Sequence, residues 1–209
     1  RRNCGAHRKK ESMTDKKKSP LKLSTRRILF LSGVALFIVL IVPIWKIELT
    51  APQYPEGLEM FIHADKLSGD IDIINGLNNY IGMRQIHENE FKEFLVLPYL
   101  IGFFAATIIL VSILNKRKFL YVWFGLFLLF ALVVGVDFYI WLYDYGHNLD
   151  PTAPIKVPGM TYQPPLIGFK QLLNFGAFSI PAIGGWLMIA VGAAVAGLVT
   201  FEYSTNKNK

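Results

Sequence analysis

The sequence predicts an all-α membrane protein: four transmembrane helices joined by two long extracytoplasmic loops that fold together as a small cap. Three observations predict it. Hydrophobic residues make up 53% of the 209-residue chain and gather into four runs. The basic residues behind its formal net charge of +7 sit beside those runs. The segments between the runs alternate between short and basic, and long and acidic. A hydrocarbon core about 30 Å thick needs roughly 20 apolar residues of helix, so runs of that length bounded by charge are expected to span.

The elements follow in order. Residues 1–12 carry Arg1, Arg2, Arg8, Lys9 and Lys10, show no apolar pattern and lead straight into Met13. They are expected to be a non-native leader, without which the sole cysteine, Cys4, is lost; a lone cysteine allows no disulfide within the chain. Residues 13–27 form a basic cytoplasmic tail. The first span covers 28–45 (ILFLSGVALFIVLIVPIW) and is uncharged. It is longer than a signal-peptide core, and its exit, Pro43-Ile-Trp-Lys46, lacks a small-x-small cleavage pattern, so retention is expected.

Residues 46–93 form the first periplasmic loop. The second span, 94–114, holds Pro98 near its start, where the missing N–H costs least. A turn at 115–118 joins it to the third span, 119–141, as a helical hairpin. Residues 142–180 form the second periplasmic loop and 181–201 the fourth span, followed by a tail at 202–209. In the fourth span Gly192 with Ala196, and Ala193 with Gly197, place small side chains four apart, a spacing that lets helices approach closely.

Orientation follows from Lys and Arg, whose transfer across the bilayer is disfavoured. Lys16, Lys17, Lys18, Lys22, Arg26 and Arg27 precede the first span, Lys116, Arg117 and Lys118 fill the short turn, and Lys207 and Lys209 end the chain. The first long loop has Lys46, Lys66, Arg84 and Lys92 against nine acidic residues. Both termini are therefore expected in the cytoplasm of a bacterium, with the loops in the periplasm. Trp45, Tyr139, Trp141, Tyr143, Tyr145 and Trp186 are expected at the outer interface. Topology accounts for the basic charge, so the expected partners are the lipid bilayer and another membrane or periplasmic protein, with no nucleic acid.

Loops that only connect helices are short, so function is expected in the two long ones. The first has a Pro- and Gly-punctuated opening, a strand-like stretch at Met60-Phe-Ile-His63, a turn at Ser68-Gly69-Asp70 and a helix-like acidic segment from His87 to Phe94. The prolines of the second exclude a helix and favour an extended path. The cap is expected to bury Tyr80, Met83, Met160 and Tyr162 together.

The strings APQYPEGLEM, INGLNNYIGM, YDYGHNLDP and APIKVPGMTYQPPLIG, with the spans around them, resemble a family of small inner-membrane proteins associated with nitrous oxide reductase gene clusters in Bacteroidetes-type bacteria. The resemblance runs from about Arg26 to Phe201. Family members often carry His where this chain has Asn79, so that position is given no role. What the resemblance implies is a non-enzymatic accessory protein supporting maturation, copper supply or electron supply of a periplasmic copper enzyme. A membrane redox or quinone-linked subunit and a periplasm-facing copper(I) chaperone are the alternatives.

Copper(I) favours thioether and imidazole donors where thiolates are absent. The loops offer Met60, His63, Met83, His87, His147 and Met160 as candidate ligands. Packing of the methionines in a small core, with exposed histidines, competes with that role and is favoured. The stretch from Asp70 to Gly76 fails as a calcium loop because Ile74 stands where an oxygen ligand is needed. Asp137 is a carboxylate inside the third span near its outer end; pairing or interfacial hydration is favoured over ion transfer. No His lies in a span to ligate a membrane haem, and Cys-x-x-Cys-His, P-loop and Gly-x-Ser-x-Gly patterns are missing. Repeated halves with interrupted helices, the mark of many transporters, are not seen either.

Overall fold

A computed structural model describes residues 21–155, 159, 161–172 and 174–207. In chain order it contains α1 (Leu23–Val39), β1 (Trp45–Ala51), β2 (Tyr54–Ile62), β3 (Leu67–Gly69), α2 (Ile71–Ile81), a 3-10 turn (Glu88–Glu90), α3 (Glu93–Leu114), α4 (Arg117–His147), β4 (Gly168–Leu172), β5 (Phe175–Pro181) and α5 (Ile183–Lys207). The expected leader at 1–12, with Cys4, lies outside the described residues, as does Met160.

The all-α, four-span expectation is wrong on two counts. The protein is mixed α and β: both long loops contribute strands to one antiparallel sheet of order β3-β2-β1-β5-β4. Among the described residues three helices, not four, are long and apolar enough to cross a membrane: Glu93–Leu114, Arg117–His147 and Ile183–Thr205. The first apolar run yields a helix of only 17 residues. At about 1.5 Å per residue it is roughly 26 Å long, short of a bilayer core. The rest of that run leaves the helix at residues 40–44, and Trp45 already belongs to β1.

The strands form because apolar and polar residues alternate along them. In Trp45-Lys-Ile-Glu-Leu-Thr-Ala51, Ile47 and Ala51 are buried, and in β2 so are Leu58 and Met60. Alternation sends one set of side chains to each face. β1 pairs with β2 through a tight hairpin, Ile47 facing Met60, and on its other edge with β5, Ile47 facing Ser179. The sheet thus closes two parts of the chain far apart in sequence.

α1, α3, α4 and α5 pack side by side. A β-carbon at Gly33 of α1 would lie 2.4 Å from Ile109 Cγ1 and 2.9 Å from the Ala105 carbonyl oxygen, so these helices touch backbone to side chain. Between α3 and α4, Trp123 stacks on Phe127 at 4.9 Å, and Phe104 meets the two rings edge-on at 5.7 and 5.5 Å. The Trp123 indole donates to the Phe104 carbonyl (3.2 Å) and Thr107 Oγ1 (3.1 Å). In α5 Gly192 and Ala196 are partly covered, Gly192 beside Phe127, whereas Ala193 and Gly197 stay exposed.

One end of this bundle is tied by a buried carboxylate. Glu202, 0% exposed, accepts from Thr25 Oγ1 (2.8 Å), the Lys22 amide (3.2 Å) and Arg117 Nε (2.8 Å). Asn115, in the left-handed region at φ 56°, accepts from the Leu21 amide at 2.8 Å. The start of α1, the α3–α4 turn and the end of α5 therefore share the basic end of the molecule. The sheet sits at the other end. There Gly184 and Gly185 lie against the turn before β1: the Gly184 amide donates to the Pro43 carbonyl at 2.8 Å, and a β-carbon at Gly185 would come within 2.4 Å of the Ile44 oxygen.

Candidate functional site

The cap is built from the inner face of the sheet, α2 and the last turns of α4. α2 is amphipathic, with Ile74, Asn75, Asn78 and Ile81 turned inward, and ends at Gly82 in a left-handed conformation that only glycine adopts cheaply. Asn75 holds the following segment as a strand partner would: its Nδ2 donates to the Ile86 carbonyl (3.0 Å) and its Oδ1 accepts the Ile86 amide (2.7 Å). Glu88 Oε1 accepts the Leu67 amide at 2.8 Å, fixing that segment to β3. The second loop hangs on the same elements, through Asp150 N to Gly82 O (2.7 Å), Ile155 N to Tyr80 O (2.9 Å) and Tyr162 N to Gly146 O (2.9 Å).

Between sheet and helices lies an apolar cavity of about 60 Å³. Ile47, Met60, Ile74, Leu77, Met83 and Leu142 supply much of its wall, and the polar groups at it are Asn78, Trp141, Tyr145 and Tyr162. Tyr162 is 2% exposed and its hydroxyl has no hydrogen-bond partner among the described residues. The Trp141 indole N–H comes close to the Tyr145 hydroxyl but makes no bond of good geometry. Tyr145 directs its own hydroxyl to Glu90 Oε2 (3.2 Å) and the Gln85 carbonyl (3.3 Å). A second cavity of about 140 Å³ adjoins the first, with Ile81 and Phe175 common to both walls, and Gln53 and Asn174 give it a polar side.

The predicted ligand residues divide. Met60 and Met83 both line the inner cavity; His63, His87 and His147 do not. His63 faces Ser68 Oγ at 2.9 Å, and burial, followed by the nearby Lys66 charge, pulls its pKa below the ordinary imidazole value. His87 is exposed and bonded to Gln85 Oε1 (3.1 Å). His147 is half-buried on the last turn of α4, stacked on Tyr143 at 3.8 Å, with Nδ1 donating to the Tyr143 carbonyl (2.9 Å). Among the described residues no three His, Cys, Asp or Glu side chains are grouped to hold a metal ion. Asp137 is exposed on α4 within electrostatic reach of Glu93, at the start of α3.

The expected core cluster is partly corrected. Tyr162 and Met83 do pack together with Ile81 and Leu172, but Tyr80 points outward at 59% exposure. The aromatic belt also divides: Tyr139, Tyr143 and Trp186 are exposed, while Trp45, Trp141 and Tyr145 turn into the cap core. Trp45 meets Phe138 edge-on at 5.2 Å and donates from Nε1 to Ser179 Oγ at 2.8 Å. On the outer face of the sheet Lys46 pairs with Glu48 and with Glu59 (2.7 Å), and those hydrogen bonds, Glu48's first, raise its pKa. Arg84 pairs with Asp144 and lies 4.8 Å over the Tyr145 ring.

Sequence inspection missed the cavity because its wall comes from segments scattered from β1 to β5. The available signal was the two-residue alternation in 45–51 and 56–62, which marks a sheet face needing a cover. No protein family, curated protein or solved structure matches the chain.

Proposed function

We propose that the chain is a non-enzymatic accessory protein of the bacterial inner membrane that carries its working surface on a periplasmic cap, and that it supports nitrous oxide reductase maturation or function. One observation carries the placement: charge and architecture separate along the same axis. Lys22, Arg26, Arg27, Lys116, Arg117, Lys118 and Lys207 lie at the bundle end tied by Glu202, whereas the sheet and most acidic residues lie at the other. Retention of Lys and Arg on the cytoplasmic side supports a sheet outside, with the short α1 and residues 40–44 together running from the basic end to β1 beside the three longer helices.

The slab limits agree. Asp137 is 20 residues beyond Arg117, about 30 Å along the helix, and Glu93 begins α3 at the same level. Residues 138–147 of α4 then rise into the cap, so a single unbroken helix joins the two parts. That continuity suits a protein that presents a surface to a partner rather than one that opens and closes.

The link to nitrous oxide reductase rests on the four loop strings, and the cap that those strings build is where the partner contact belongs. The copper(I) chaperone alternative draws less support, because among the described residues no imidazole lines the cavity beside the two thioethers. Deleting the gene in a host that respires nitrous oxide tests the proposal. Nitrous oxide consumption by whole cells is expected to fall and to return with the intact gene. Unchanged consumption with fully copper-loaded reductase would overturn it.

A further inference from the structure

We propose that the cap cavity is a binding site for a neutral, lipophilic carbonyl compound, whose oxygen accepts a hydrogen bond from Tyr162. The proposal rests on the membrane placement above for the direction from which the ligand arrives, but not on any role in nitrous oxide reduction.

The chemistry of the wall selects the ligand. Ile47, Leu49, Met60, Ile74, Leu77 and Leu142 offer only apolar surface, which excludes an ion or a sugar. No charged side chain is among the described wall residues, so the ligand is neutral. Of the polar groups at the wall, Asn78 and Tyr145 already donate to Arg84, Gln85 and Glu90, whereas the buried Tyr162 phenol has no hydrogen-bond partner among the described residues. A buried hydroxyl left unbonded costs about 1–3 kcal/mol, so such a group is retained where something supplies the missing acceptor. Trp141 adds a second N–H at the same cavity without a well-formed bond. A carbonyl oxygen, an acceptor with no proton of its own, supplies what the Tyr162 hydroxyl lacks.

Size and place agree with a ring or short chain entering from one side. The inner cavity of about 60 Å³ exceeds the roughly 10–15 Å³ needed for one water but is tight for a whole ring. The adjoining cavity of about 140 Å³ shares Ile81 and Phe175 with it, so those two side chains stand between the two spaces. Gln53 and Asn174 give that second space its polar side. Trp45 and Phe138, next to the proposed bilayer boundary, pack against the core cluster that supplies much of the cavity wall, so the site lies on the membrane side of the cap.

Two sources share this chemistry: the ring of a quinone and the ester carbonyl of a lipid chain. Binding to the full chain in lipid nanodiscs separates them, with decyl-benzoquinone and methyl decanoate as probes and tryptophan fluorescence and melting temperature as readouts. Saturable binding at micromolar concentration is expected for one probe, and which one binds identifies the source. Tyr162→Phe is expected to weaken it about fivefold to tenfold, the loss of one hydrogen bond, at an unchanged fold. Leu77→Phe, which fills the cavity without touching the hydroxyl, is expected to abolish binding while holding or raising the melting temperature. Saturation by neither probe, or wild-type affinity in both variants, would overturn the proposal and leave a packing void. Neither result bears on the cellular deletion test, so the two proposals fail separately.

Discussion

The helical bundle and the cap solve the same problem, burying apolar surface, in opposite ways. In the bundle Leu29, Leu36, Ile101, Ile108 and Val195 pack inward while Leu95, Tyr99, Phe103, Leu129 and Leu132 remain exposed all round, as suits helices whose outer faces meet lipid. Its polar groups are few and concentrated at one end, around Glu202. In the cap the sheet faces water on one side and its apolar side is covered by α2 and α4, with side-chain amides inside. The bundle is organised by length and composition; the cap is organised by pairing between distant segments and by individual hydrogen bonds. Damage should therefore spread differently in the two.

The largest effect is expected at the bundle's closed end. Glu202→Ala removes the shared acceptor of Thr25, Lys22 and Arg117, and breaking a buried ion pair on one side costs about 3–5 kcal/mol. A fall in the melting temperature of the whole protein, with α1 freed first in hydrogen exchange, is the expected result. A loss confined to the cap would break the comparison.

A smaller and more local effect is expected from Asn75→Ala. It leaves the Ile86 amide and carbonyl unbonded in a buried place, at about 2 kcal/mol. Faster proteolysis within residues 83–92, with the bundle's melting unchanged, would sharpen the distinction. If the bundle melted as early as the cap, the two would be one cooperative unit.

The smallest effect concerns pH and also belongs to the cap. Burial lowers the pKa of His63, so the folded protein favours the neutral ring more than the unfolded chain does. Between the lowered value and the ordinary value near 6.5, the unfolded state binds more protons, and stability falls as pH drops through that window. The melting temperature of the cap should decline modestly from about pH 7.5 to about 5.5, and His63→Gln should remove most of the decline.

Much of the bundle was legible in the chain. The second and third apolar runs became α3 and α4, but the turn expected over 115–118 shrinks to Asn115 and Lys116, and α4 runs six residues past the expected end at 141. The fourth run became α5, two residues later than its expected start. The first run misled because composition cannot say where a helix stops: Pro43 and the pairing of Trp45 with Ile62 and Pro181 end it in favour of a strand. The cap was misjudged for a different reason. The alternation of β1 and β2 was present in the sequence, but β5 reads as an ordinary loop until its partner, more than a hundred residues earlier, is known. Met60 and Met83 were singled out as possible ligands and do meet at one cavity, whereas the Tyr162 hydroxyl drew notice only as core, since its lack of a partner among the described residues is a property of the folded state.

A bilayer bundle with its sheet on the periplasmic side is the premise of the proposed function, and single-cysteine labelling tests it most directly. In a Cys4→Ser background, cysteine is placed at Glu56, exposed in β2, or at Lys118, exposed at the basic end. With a membrane-impermeant maleimide on intact spheroplasts, Glu56→Cys is predicted to label at once and Lys118→Cys only after lysis. Labelling of Lys118→Cys in intact spheroplasts, with Glu56→Cys protected until lysis, would contradict it.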